Sequence, residues 1–311
     1  ARDGKHADAF RRCLNLIRAN QGQSCLYVVC SDVRVQQLRQ RVLREMGGCF
    51  HLPVATFPAF ANALYRTCAG RKRLLGGLEQ VIFLEDLLRR HADQFGAILH
   101  AAPLRDYPGM MAKLLEFLLD VRRIGLHSPD ALAERFQQCH GRQRGAYHAL
   151  VALLRLYSGA LDDARVTDQP GVFLELAERA AAGTLDVRVM TPTPELFVLE
   201  GADELPEPDQ QIVAALCDQF EQTLLTLDLP FSPYHFPETD RAFRQFHLLR
   251  GICGFIRRLG CSALPFAPAA LPVSAAPPDF VTIRASANRS AEVADIAGAI
   301  RALWREQAVS A

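Results

Sequence analysis

Gly4-Lys5-His6 is the first group of residues in this chain whose types and spacing can do chemistry. A Gly-Lys pair at the head of a helix can meet a phosphate with backbone N–H groups and an ammonium. It looks like the back half of the pattern G-x-x-x-x-G-K-[ST], whose first position would fall outside this sequence. The last position of that pattern is a Ser or Thr hydroxyl that holds Mg²⁺. Here it is His6. The plainer alternative makes Lys5 a solvated residue at a helix start.

A phosphate loop acts with an acidic strand end that holds Mg²⁺ and activates water. The segment "LFVLEGADE" ends an apolar run in Glu200 and then Gly201. An active hydrolytic site carries Asp and then Glu there. Glu200 can still hold Mg²⁺ through water, whereas Gly201 has no side chain to position a nucleophile. The plainer alternative is that Glu200 only ends a strand, with Asp203 and Glu204 in a polar loop.

The elements that must position these residues follow from periodicity. Phe10, Cys13, Leu14 and Ile17 share one helical face, and Gly22 stops that helix. "CLYVVC" from Cys25 to Cys30 reads as a buried strand. Asp32 is placed to cap the next helix, which Gly47-Gly48 end. "LPVATF" is a short strand, and Pro58 sits in the first turn of the helix after it. This alternation is the wiring of a parallel α/β sheet. From Arg71 to about Gly183 helical periodicity dominates and strand signals almost vanish. Alternation resumes with a strand at Glu195–Leu199, a helix from about Asp209 to Phe220, and "QTLLTLDLP" as the next strand. A Pro- and Ala-rich stretch, Ser262 to Asp279, reads as a linker, and "FVTIRAS" and "RSAEVADIAGAIRALWREQ" as a last strand and helix.

The 311 residues suffice for two or three domains, and the net charge of +1 argues against a wholesale polyanion binder without excluding a local basic groove. Nine irregularly spaced cysteines without a C-x-x-C pair argue against a zinc ribbon. They predict buried, reduced thiols and a cytoplasmic location. No apolar run approaches the roughly 20 residues of a membrane span. The absent initiator Met and the abrupt end at Ala311 predict a fragment of a longer protein.

At this point a resemblance emerges. "VATFPAFANALYR" resembles the superfamily 1 helicase segment in which a strand ends in Thr-Phe and runs into a helix. "FVLEGADELPEPDQQIVAAL" resembles the degenerate second Walker motif of the AddB/RexB-type subunit of bacterial helicase–nucleases. "YHALVALLRLYSGALDDARVTDQPGVFLELAERA" is similar to that family's helical insertion, and "ANRSAEVADIAGAIRALWRE" to the start of its second helicase-like domain. The resemblance implies an α/β fold, a RecA-like parallel sheet from residues 1–70 and 184–261. It implies an all-helical insertion at 71–183, a linker at 262–278, and a truncated second α/β domain at 279–311. It further implies a part in double-strand break processing, alongside a partner helicase–nuclease subunit, with a C-terminal nuclease beyond this chain. Carried over by position, Gly4, Lys5 and Glu200 fall on the nucleotide site, with ATP and Mg²⁺ as the implied ligands. Thr56 and Phe57 fall on the segment facing single-stranded DNA. His6, Gly201 and the lack of a Gly-Asp-x-x-Gln stretch in "TLLTLDLP" are departures that put hydrolysis in doubt.

Basic residues supply the DNA candidates: Arg34, Arg39, Arg41 and Arg44 on one helix, then Arg71, Lys72 and Arg73, and further Arg122-Arg123 and Arg142/Arg144. Phe57, Phe60 and Tyr65 offer stacking faces, unless they face the core as aromatics at helical spacing usually do. The scattered histidines form no H-x-x-x-H or H-E-x-x-H pattern, so no metal site is expected. Three readings follow: a non-catalytic DNA-binding scaffold, an active ATPase using Asp203 or Glu204, and a protein-interaction module of helicase-derived fold.

Overall fold

The computed structural model describes residues 3–19, 21–48, 52–68, 71–95, 108–126, 128–137, 144–201, 205–226 and 247–260. All of them fall in one unit, Arg2–Phe266. The expected linker at 262–278 and second domain at 279–311 lie outside the described residues, as do Asp203, Glu204 and Arg142.

Four parallel strands form the central sheet: β1 (Cys25–Val29), β2 (Val54–Thr56), β5 (Leu196–Glu200) and β6 (Gln222–Thr226), in the order β2-β1-β5-β6. The registers Val29↔Thr56, Val29↔Glu200 and Glu200↔Thr226 align the strand ends. The chain is therefore α/β, as expected. β1 and β5 are buried along all five residues of each. That accounts for their unbroken apolar runs, which central parallel strands show.

Side chains alternate between the two faces. Cys25, Tyr27, Val29, Leu196 and Val198 pack with helices α1 (Asp3–Arg18) and α2 (Asp32–Met46). Leu26, Val28, Phe197 and Leu199 pack with α3 (Phe57–Cys68), α8 (Gln169–Ala181), α9 (Glu207–Cys217) and α10 (His247–Leu259). α2 is capped by Ser31, not by Asp32 as expected; the Ser31 hydroxyl accepts from the Arg34 N–H at 3.3 Å. Asp32 sits in the first turn, where its charge suits the helix dipole. Gly47, at φ 75°, ends α2 as predicted.

A second core joins α4 (Gly77–Arg90), α5 (Pro108–Arg123), α6 (Pro129–Gln137) and α7 (Arg144–Asp163) around Leu84, Leu118, Leu154 and Tyr157. Two details depart from an all-helical block at 71–183. β3 (Arg73–Leu74) pairs in parallel with β4 (Val166–Thr167). And α8 buries Val172, Phe173, Leu176 and Ala177 in the core of the sheet rather than that of the helices.

The last turn of α5 holds the helical block to two helices of the sheet layer. Arg122 pairs with Asp168, the N-cap of α8. Its neighbour Arg123 places Nη2 4.0 Å from Asp209, in the first turn of α9. Asp209 is 1% exposed, and neither of its carboxylate oxygens has a hydrogen-bond partner. Burial pushes its carboxyl up to about 7, against the opposing pull of Arg123. The folded protein thus keeps a proton that the unfolded chain loses near the ordinary value of 3.8. Stability from this group is full below that value and declines as pH rises toward 7, by about 4 kcal/mol in all. Asp209→Asn is expected to abolish this component. Urea midpoints at pH 4.5 and 8 check it: the variant gains on the wild type at the higher pH.

Candidate functional site

The candidate site lies where the strands of the sheet end. α1 leads through a short turn at Gly22–Ser24 straight into the start of β1, so it runs against the strands. Its first turn, which contains Gly4, Lys5 and His6, is thereby directed toward the edge at which β1, β5 and β6 end. Crevices at the carboxyl ends of open parallel sheets are where such folds take ligands.

Glu200, the last residue of β5, is 6% exposed and points to the face that carries Tyr27. The Tyr27 hydroxyl donates to Glu200 Oε2 at 2.7 Å, and Arg34 Nε donates to Oε1 at 2.5 Å. Burial, then the nearby carboxylate, pushes the Tyr27 phenol far up, so it stays a protonated donor. A charge that is buried this deeply requires a partner. Arg34, in the first turn of α2 and held there by the Ser31 cap, supplies one. Arg34 also donates to Gln37 Oε1 at 3.4 Å.

Gly201 follows with φ 77°, a left-handed conformation that side-chain-bearing residues rarely adopt. A Cβ there would lie 3.2 Å from Cys30 Sγ, and the Gly201 N–H donates to Thr226 O at 3.1 Å. The lack of a side chain at position 201 is thus built into the backbone. A Glu at 201 meets a strained φ and the Cys30 side chain.

The DNA candidates scatter. Thr56 is half-buried at the end of β2, its hydroxyl accepting from the Ala59 N–H at 3.4 Å. Phe57 and Phe60 are buried, and Phe57 packs edge-on against Phe173 at 5.4 Å between ring centroids. Tyr65 is buried as well and donates to Glu175 Oε2 at 3.2 Å. The stacking faces considered for these three rings are spent on the core. Arg41 pairs with Glu45 at 3.0 Å and lies over the Phe10 ring. Arg71 and Lys72 rim a cleft of about 800 Å³ whose wall includes Arg122, Thr167, Gly171 and Arg179. Lys72 pairs there with Asp162 at 2.6 Å. Arg122, expected as a phosphate contact, is buried and ion-paired instead.

The sequence reading missed what Arg34 and Arg122 bind. Their partners, Glu200 and Asp168, lie far away along the chain, and no local pattern links them. Tyr27 sits in an apolar run whose pattern marks only a buried strand. Among the described residues, no group of three or more His, Cys, Asp or Glu side chains is placed to hold a metal ion. None of the described helices is long and apolar enough to cross a membrane. No protein-family model matches the chain, and no curated protein matches it.

Proposed function

We propose that this chain is a helicase-like, hydrolysis-silent scaffold that binds single-stranded or end DNA, part of an AddB/RexB-type subunit working with a partner helicase–nuclease in double-strand break processing. The feature that supports the reading is the chain direction, which turns the start of α1 toward the carboxyl end of the sheet where β5 ends. Gly4-Lys5 opens α1, and Glu200-Gly201 closes β5. That arrangement supports RecA-like ancestry with residues 71–183 inserted between strands. The left-handed Gly201 supports loss of water activation. A cytoplasmic location belongs to the same proposal.

For DNA, the exposed Arg39, Arg44 and Arg71 are cations of the candidate set with no ion-pair partner among the described residues; Arg44 donates to the Gln40 carbonyl. The test is anisotropy of a labelled single strand across salt concentrations. Affinity falls as salt rises, with a log–log slope of roughly −0.7 per neutralised phosphate. Arg71→Ala is expected to weaken binding several-fold and to shallow that slope by about 0.7. Binding that is absent, or indifferent to salt, contradicts the DNA role. A second reading, a protein-interaction module of the same ancestry, draws on the internal use of Arg34 and Arg122. It takes over in that event.

A further inference from the structure

We infer that Arg34 is a built-in cation in the place of a divalent metal ion at Glu200, so that this strand end holds no metal. The inference rests on reading Glu200 as the acidic strand end of a nucleotide-binding sheet, and names what became of that site.

Both oxygens of the carboxylate are engaged. Oε1 accepts from the Arg34 guanidinium and Oε2 from the Tyr27 hydroxyl, with the residue 6% exposed. Mg²⁺ demands an octahedron of oxygens at about 2.0–2.1 Å and keeps several waters. Buried between a guanidinium and a phenol, the carboxylate is little exposed to such a hydrate. The cation already beside it opposes a second positive charge. His6 stands where a metal-binding hydroxyl belongs, and Gly201 where a second carboxylate belongs. The residues present do not fit a metal site.

The arrangement is built rather than incidental. β1 ends at Val29, in register with Glu200. Only Cys30 and Ser31 separate it from α2, so the first turn of α2 starts beside the end of β5. The Ser31 cap fixes the Arg34 backbone, and Gln37 on the next turn takes a guanidinium N–H. A planar guanidinium suits a carboxylate edge, where a lysine ammonium offers only a point charge.

The test uses Mn²⁺ as a spin probe, with and without ATP, on the full chain. Wild type, Glu200→Gln, Arg34→Met and Arg34→Lys are compared by electron paramagnetic resonance. Wild type and Arg34→Lys are expected to hold no Mn²⁺ that Glu200→Gln releases. Arg34→Met is expected to gain weak Mn²⁺ binding that the wild type lacks, and to lose the gain when Glu200→Gln is added. Mn²⁺ held by the wild type and released by Glu200→Gln overturns the inference, whether or not Arg34→Met folds. So does a folded Arg34→Met that gains nothing. Single-strand affinity measured on the same samples separates the two levels: its absence removes the DNA scaffold, whatever Mn²⁺ does.

Discussion

Arg122→Ala lowers the unfolding free energy by about 3–5 kcal/mol, the range for breaking one partner of a buried ion pair. The Arg122 side chain is 10% exposed and that of Asp168 is fully buried, so removing the guanidinium strands a carboxylate out of water. Nε lies 3.0 Å from Asp168 Oδ2 without hydrogen-bond alignment, so attraction there is electrostatic. The directional bonds run from Nη2 to Asp168 Oδ1 at 3.3 Å and from Nη1 to Ser158 Oγ at 2.8 Å. Asp168 Oδ1 also accepts the Gly171 N–H at 2.7 Å, capping α8. One carboxylate therefore caps a helix of the sheet layer and holds the end of α5. Arg122→Lys recovers little of the loss, because an ammonium cannot reproduce the fork. Urea denaturation followed by circular dichroism checks the effect. Arg155→Ala is the control: Arg155 and Asp130 are 66% and 85% exposed, and the cost there stays below about 1 kcal/mol.

Gly171→Ala is the second large effect, about 3 kcal/mol, at the upper end of the usual overpacking cost. A Cβ on Gly171 would lie 2.3 Å from Thr167 Oγ1, 2.9 Å from Asp168 Oδ1 and 3.1 Å from Arg122 Nη2. The nearest atom belongs to a short, buried side chain that cannot swing aside. The other two are the cap and the ion pair themselves. Removing the hydroxyl with Thr167→Ala is expected to return part of the loss. The costs of Gly171→Ala and Arg122→Ala are expected to sum to more than that of the double variant, since both act on one cluster.

Much of the sheet was legible from local pattern. β1 and β5 are unbroken apolar runs because both faces are covered, and Gly47 stops α2 through its positive φ. The membership of α8 was not legible. Its apolar face has the same period whichever core receives it, and only tertiary contact puts Phe173 against Phe57. The β3–β4 pair escaped because two residues per strand carry no periodicity. In the candidate site, Glu200-Gly201 was legible and its locking was not. An arginine on a polar helix face reads as solvated or DNA-facing until a buried carboxylate 166 residues away is brought beside it. The same distance problem hid Arg122 behind its basic neighbour.

The proposed helicase-like sheet holds DNA and does not hydrolyse ATP. The most direct measurement is phosphate release from ATP with Mg²⁺ and saturating single-stranded DNA, comparing wild type with Lys5→Ala and Glu200→Gln. Three indistinguishable rates at the uncatalysed background are expected, from samples whose binding of the strand is sensitive to salt. DNA-stimulated release that Lys5→Ala abolishes would contradict it and establish an active ATPase in its place.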